Sequence, residues 1–188
     1  LFNEKKLTQA TAFFLFKADG RLPILKLMKL LYLSERYSFK TFHRPFIGDS
    51  LVSMKHGPVL SISYNFMNGA VRHQDFWNEW ISDRSEHEVG LKDKSLIRTT
   101  DDLLELSDND ISLLENIWEH FGHLGRWELV DWTHANCEEW IDPGSSSVPI
   151  NYDDLFNALG FEENLQEHIM HKMEAEVQFN KEKQEQYC

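Results

Sequence analysis

The chain has 188 residues, 41% hydrophobic and 27% charged, a balance that fits one globular domain and excludes disordered and fibrous classes. Its formal net charge of −12 argues against nucleic acid as a partner, because an acidic body repels phosphate. With two cysteines, Cys137 and Cys188, no disulfide framework is expected.

The longest near-apolar stretch, residues 22–33, is broken by Lys26 and Lys29, so no membrane span is expected. Residues 1–6 lack the pattern of a secretory signal, and the cytoplasm is the expected address. Charge is unevenly spread. Residues 1–56 carry ten Lys/Arg against four Asp/Glu, and the rest carry nine against twenty-seven. Two readings follow: separate solvated faces, or a basic face that steers an oppositely charged protein.

In chain order, a first helix is expected over residues 7–16, with Leu7, Ala10, Phe13 and Phe14 on its apolar face, ending at Asp19-Gly20. Pro23 suits the first position of a second helix running to about Phe39. Ile24, Leu27, Leu30 and Leu31 repeat there at helical spacing, and Leu25, Met28 and Leu33 make it apolar nearly all round. Such a helix belongs at the centre of a fold. Residues 49–55 alternate as a short strand closed by Gly57-Pro58, with Pro58 opening the next helix toward Phe66 and Met67. Phe76, Trp77, Trp80 and Ile81 predict another short helix, and residues 88–91 and 96–100 predict short strands.

Ser107-Asp108-Asn109-Asp110 has the form of a capping box, opening a helix through Ile111, Leu114, Ile117, Trp118 and Phe121. Residues 127–134 read as helix, residues 142–147 as loop, and Asn151 as the cap of a helix stopped by Gly160. From Glu162 the chain is polar, yet Leu165, Ile169, Met173 and Val177 fall on one line at i, i+4 steps. That predicts a long terminal helix with a narrow apolar stripe, docked on its own domain, on a second copy or on a partner. The expected fold is mainly α (α+β): a helical domain over residues 1–161 with a two- or three-stranded sheet, and a helical extension over residues 162–188.

No phosphate-binding, nucleophile-elbow or zinc-protease motif occurs in the sequence. The best metal-ligand spacing is His120 and His123 followed by His134 and Cys137, two pairs that could complete a tetrahedron around zinc. An ordinary solvated helix gives the same spacing, and no metal or cofactor is expected. Cys137 beside His134 could form a thiol nucleophile, but the favoured reading is a buried, inert thiol, since free Cys commonly packs as a small hydrophobe. Trp127, Trp132 and Trp140 with Thr133-His134 read as a packed corner in which His134 meets a buried polar need.

Three segments together resemble one family. Lys26-Leu27-Met28-Lys29-Leu30-Leu31-Tyr32 is similar to the K-L-x-K-L-L-Y helix of the Panacea, or SocA-like, antitoxin domain. Lys55-His56-Gly57-Pro58-Val59 resembles its W-x-Y-G-P-V segment, and Leu129 to His134 followed by Trp140 resembles its L-x-x-x-T-H…P-W segment. Two departures stand out: Met54 or Lys55 and His56 replace the Trp and Tyr, and Glu139 replaces the Pro before the late Trp. The resemblance implies an antitoxin of a two-gene, often phage-linked system, neutralising a protein toxin by direct binding and having no catalytic residues. A proteolytic adaptor that delivers a toxin to a protease is the second function, and a zinc hydrolase the third. The expected partner is a toxin, with a protease or a second copy also possible; membrane and nucleic acid are not expected. Gly57-Pro58 should set Lys55 and His56 at a rim, and these two, with Leu165, Ile169, Met173 and Val177, are the candidate partner contacts.

Overall fold

The computed structural model describes residues 1–72 and 74–186 and is built around one buried helix. That helix, α2 (Ile24–Phe42), follows α1 (Glu4–Lys17) and a short strand β1 (Arg21–Pro23). Every residue from Leu27 to Arg36 is buried, on all faces of α2. Its apolar side chains supply the driving force, and its polar ones are each paired, as burial requires. The Ser34 hydroxyl donates to the Leu30 carbonyl at 2.8 Å and that of Ser38 to Arg44 at 2.9 Å. The Glu35 carboxylate accepts the backbone N–H groups of Phe46, Ile47 and Gly48 at 3.2, 2.6 and 3.1 Å, fastening the loop after α2. Pro23 stands one place earlier than expected, at the N-cap, because its carbonyl side is already extended in β1.

The signature segment forms a hairpin of β2 (Leu51–Met54) and β3 (Gly57–Leu60), in register Met54↔Gly57 and Ser53↔Pro58. Pro58 therefore lies inside a strand and does not start the next helix, contrary to the sequence expectation. Strand β2 pairs on its other side with a strand at Val148–Pro149, which leaves β3 on an edge, where a residue without N–H is tolerated. The helix α3 (Ser61–Met67) begins after the strand and is capped from a distance. Asp49 accepts the N–H groups of Ile62 and Ser63 at 2.9 and 2.7 Å, and the Ser63 hydroxyl at 2.7 Å.

After α4 (Asp75–Trp80), strand β4 (Glu88–Gly90) pairs antiparallel with β1. The strand expected at residues 96–100 is absent. Two single 3-10 turns, Lys94–Leu96 and Thr100–Asp102, take its place. Asp93 accepts from Ser95 N–H, and Asp102 from Arg98 and Thr99 N–H, so side-chain acceptors satisfy donors that a ladder would have used.

Helix α5 (Asp108–Phe121) carries the predicted Ser107/Asp110 capping box, and Asp110 also pairs with Lys6 at 2.9 Å, joining α5 to α1. Helix α6 (Arg126–Asn136) starts at Gly125, and β5 (Val148–Pro149) adds to the free edge of β2. Asn151 caps α7 (Tyr152–Ala158), and α8 (Glu163–Gln186) closes the chain. Among the described residues no helix is long and apolar enough to cross a membrane.

Candidate functional site

The two-residue hairpin turn places Lys55 and His56 in the open, at the lip of a cavity of about 440 Å³. The start of α2, the hairpin, α3 and the start of α6 enclose it. Ile24, Met28, Met54 and Val59 form its apolar wall. Trp127, 51% exposed at the first turn of α6, stands over the mouth with His56 edge-on at 5.2 Å and Arg126 above the ring at 5.8 Å. A large aromatic ring left half in water beside a concave apolar wall is a common feature of a binding surface.

Lys29 reaches the floor of this cavity from α2. It is fully buried, and its Nζ donates to the Pro58 carbonyl at 2.8 Å, tying the central helix to the hairpin. Gly57, at φ +98°, makes this approach possible, since a Cβ there would lie 2.8 Å from Thr133 Oγ1 and 2.9 Å from Lys29 Nζ. Burial pushes the Lys29 amine down to about 7, against the pull of Cys137. The unfolded chain then binds the extra proton from about pH 7 upward, so stability rises with pH above 7 and is lost as pH falls toward it.

Lys29→Met should remove that dependence. In urea unfolding, the wild type should gain roughly 2 kcal/mol relative to the variant between pH 7 and 9. Above that range Cys137 and Tyr32, both raised by burial, act in the opposite sense. An unchanged difference between the two proteins at both pH values would contradict the assignment.

Behind the cavity lies a buried polar cluster. Glu139 accepts from Tyr32 Oη at 2.7 Å and from Arg36 Nε at 2.8 Å and Nη2 at 3.3 Å. Burial opposes the Arg36 charge, but the hydrogen bond and attraction of Glu139 outweigh it and hold the guanidinium protonated. Next along the chain, Trp140 Nε1 donates to the Met54 carbonyl at 2.9 Å, and Ile141 N–H to Ser53 Oγ at 3.2 Å. The hairpin is thus held from below by α2 and from the side by the segment after α6.

The family described as Antitoxin SocA-like, Panacea domain, matches residues 27–141. The chain belongs to this antitoxin family. No curated protein and no solved structure matches it. Apart from Ile24 and Leu25, every residue lining the cavity lies within the Panacea match, which makes the cavity a feature of the domain itself. Glu139, one of the two departures from the Panacea pattern, is the acceptor for Tyr32 and Arg36.

The residues that the sequence singled out for zinc or thiol chemistry lie within the Panacea match. Among the described residues no group of three or more His, Cys, Asp or Glu is arranged to hold a metal. Cys137 is 1% exposed, and burial together with Glu139 pushes its thiol up to about 12, the opposite of an activated nucleophile or thiolate ligand. His134 stacks on Trp140 at 3.9 Å. Its Nε2 finds no hydrogen-bond partner among the described residues, so it fills space and does not satisfy a buried polar need as expected. Of the expected packed corner, Trp132 and Trp140 do pack against the core, while Trp127 faces out. Cys188 lies outside the described residues.

The terminal line also has a definite direction. Ile169 is 0% and Met173 5% exposed, both within the main core, with Leu165 packed against it. Those two side chains face their own domain and offer nothing to a partner in this conformation. Val177 is half-buried and Phe179 is exposed, so the outward apolar surface of α8 lies toward its distal end.

Nothing in residue type marked Arg84, Arg126 or Trp127 as site residues. Arg84 comes from a different segment from the adjacent Arg126 and Trp127, and only the fold brings the two segments to the cavity mouth.

Proposed function

We propose that this Panacea-domain protein neutralises a cognate protein toxin by binding it directly, without catalysis, through the hairpin–α6 face. Family membership supports an antitoxin role. The observation that carries the reading is the half-exposed Trp127 beside Lys55 and His56, over a concave apolar wall. Interfaces concentrate their binding energy in such aromatic and basic anchors. The distal part of α8, through Val177 and Phe179, is a secondary contact in this reading.

The test is co-expression with the product of the adjoining open reading frame in the cytoplasm of a bacterial host. That product alone should arrest growth, and this chain should relieve the arrest and co-purify with the product in a fixed molar ratio. Toxin levels should stay constant whether or not the host's ATP-dependent proteases are present. A toxin that disappears only when a protease is present would make the chain an adaptor instead. Rescue without any stable complex would overturn direct binding.

A further inference from the structure

The cavity beneath Trp127 differs in charge from the rest of the molecule. Lys29, Lys55, Arg84 and Arg126 line it, with His56 and His87, and no Asp or Glu does. In a chain carrying 31 Asp/Glu against 19 Lys/Arg, this is a local basic basin on an acidic body. Lys55 and Arg126 are exposed and make no ion pair among the described residues, so their charge is available to a ligand. Arg84 is pre-positioned: its Nε donates to the Glu86 carbonyl at 2.7 Å, and its Nη1 donates to Asn68 Oδ1.

The wall below these cations is apolar and adaptable, with Met28 and Met54 facing it. We infer that the cavity receives one large apolar or aromatic side chain of the partner protein, flanked on both sides by carboxylates. The side chain fills the pocket under Trp127, and the flanking acids meet Lys55, Arg84 and Arg126. This deepens the toxin-binding reading and rests on it for the identity of the partner.

Charge complementarity selects this occupant over a nucleic acid. A long polyanion docked at the basin would run out over a surface of net negative charge, whereas a short acidic segment ends before it gets there. The volume of about 440 Å³ suits a side-chain anchor and is in the usual range of ligand pockets.

The test uses the full chain and a fluorescein-labelled heptapeptide with a central Trp between two runs of three Glu. Comparison peptides replace the Glu residues by Lys, or the Trp by Ala. Fluorescence anisotropy should show saturable binding of the first peptide, weakened by salt, and none of the other two. The exposed pair Lys55→Glu/Arg126→Glu should weaken it on the order of tenfold or more with an unchanged melting temperature. Trp127→Ala should weaken it as well. Equal binding of the acidic and basic peptides, or insensitivity to both variants, would overturn the assignment. So would ATP binding that displaces the peptide and tolerates its large excess.

The same double variant is then tested for co-purification with the product of the adjoining open reading frame. Toxin capture that survives the double substitution would overturn the cavity's role but leave direct neutralisation standing. Peptide binding without any toxin capture would support the cavity and count against the proposed function.

Discussion

Arg36→Met alone is expected to destabilise the protein by about 3–5 kcal/mol, the usual result of removing one partner of a buried ion pair. The Glu139 side chain has no exposure and that of Arg36 only 8%. Without the guanidinium, Glu139 would keep one donor, Tyr32, for a carboxylate that needs several. Arg36 Nη2 also reaches the Asn136 carbonyl at 3.4 Å, so the end of α6 loses a partner too. The triple replacement Tyr32→Phe/Arg36→Met/Glu139→Leu should recover most of the loss, since it removes the buried charge together with its partner. Urea unfolding at constant slope measures both. An Arg36→Met protein within 1 kcal/mol of wild type would mean that water reaches Glu139 in solution.

The second large effect is expected at Leu30, which is fully buried midway along α2. The helix packs against α1, α5, α6 and β3, so a carboxylate at the fully buried position 30 would be cut off from water. The cost of several kcal/mol approaches the whole stability of a typical domain, so Leu30→Asp should yield an unfolded or insoluble chain. Leu30→Met, which keeps volume and polarity, should stay within about 1.5 kcal/mol of wild type. Far-ultraviolet circular dichroism and thermal melts distinguish the two, and an unchanged melting temperature for Leu30→Asp would remove α2 from the centre of the fold.

Both expectations depend on α2, and its central place was readable from residues 24–39 alone. A helix apolar on every face has no stable position except the interior, so its periodicity already implied its burial. The capping box at Ser107 and the cap at Asn151 were equally readable, because a cap is made by residues close together in the chain. The exposed rim position of Lys55 and His56 and the loop at residues 142–147 were local features of the same kind. The alignment of Leu165, Ile169, Met173 and Val177 also needed nothing beyond helical spacing.

What depended on distant partners was decided only by the tertiary structure. Pro58 belongs to a strand because β2 and Lys29 meet it there, and β5 exists only because β2 leaves an edge open. The side of the terminal helix that faces inward depends on the core waiting for Ile169 and Met173. Glu139 looked like a lost proline until Arg36 and Tyr32, more than a hundred residues earlier, were seen to enclose it. The basic basin follows the same rule. Its exposed cations, Lys55, Arg84 and Arg126, come from three distant stretches of chain, and composition reports an acidic protein. Charge acts over ångströms in space and not along the chain, so only folding could turn scattered cations into one site.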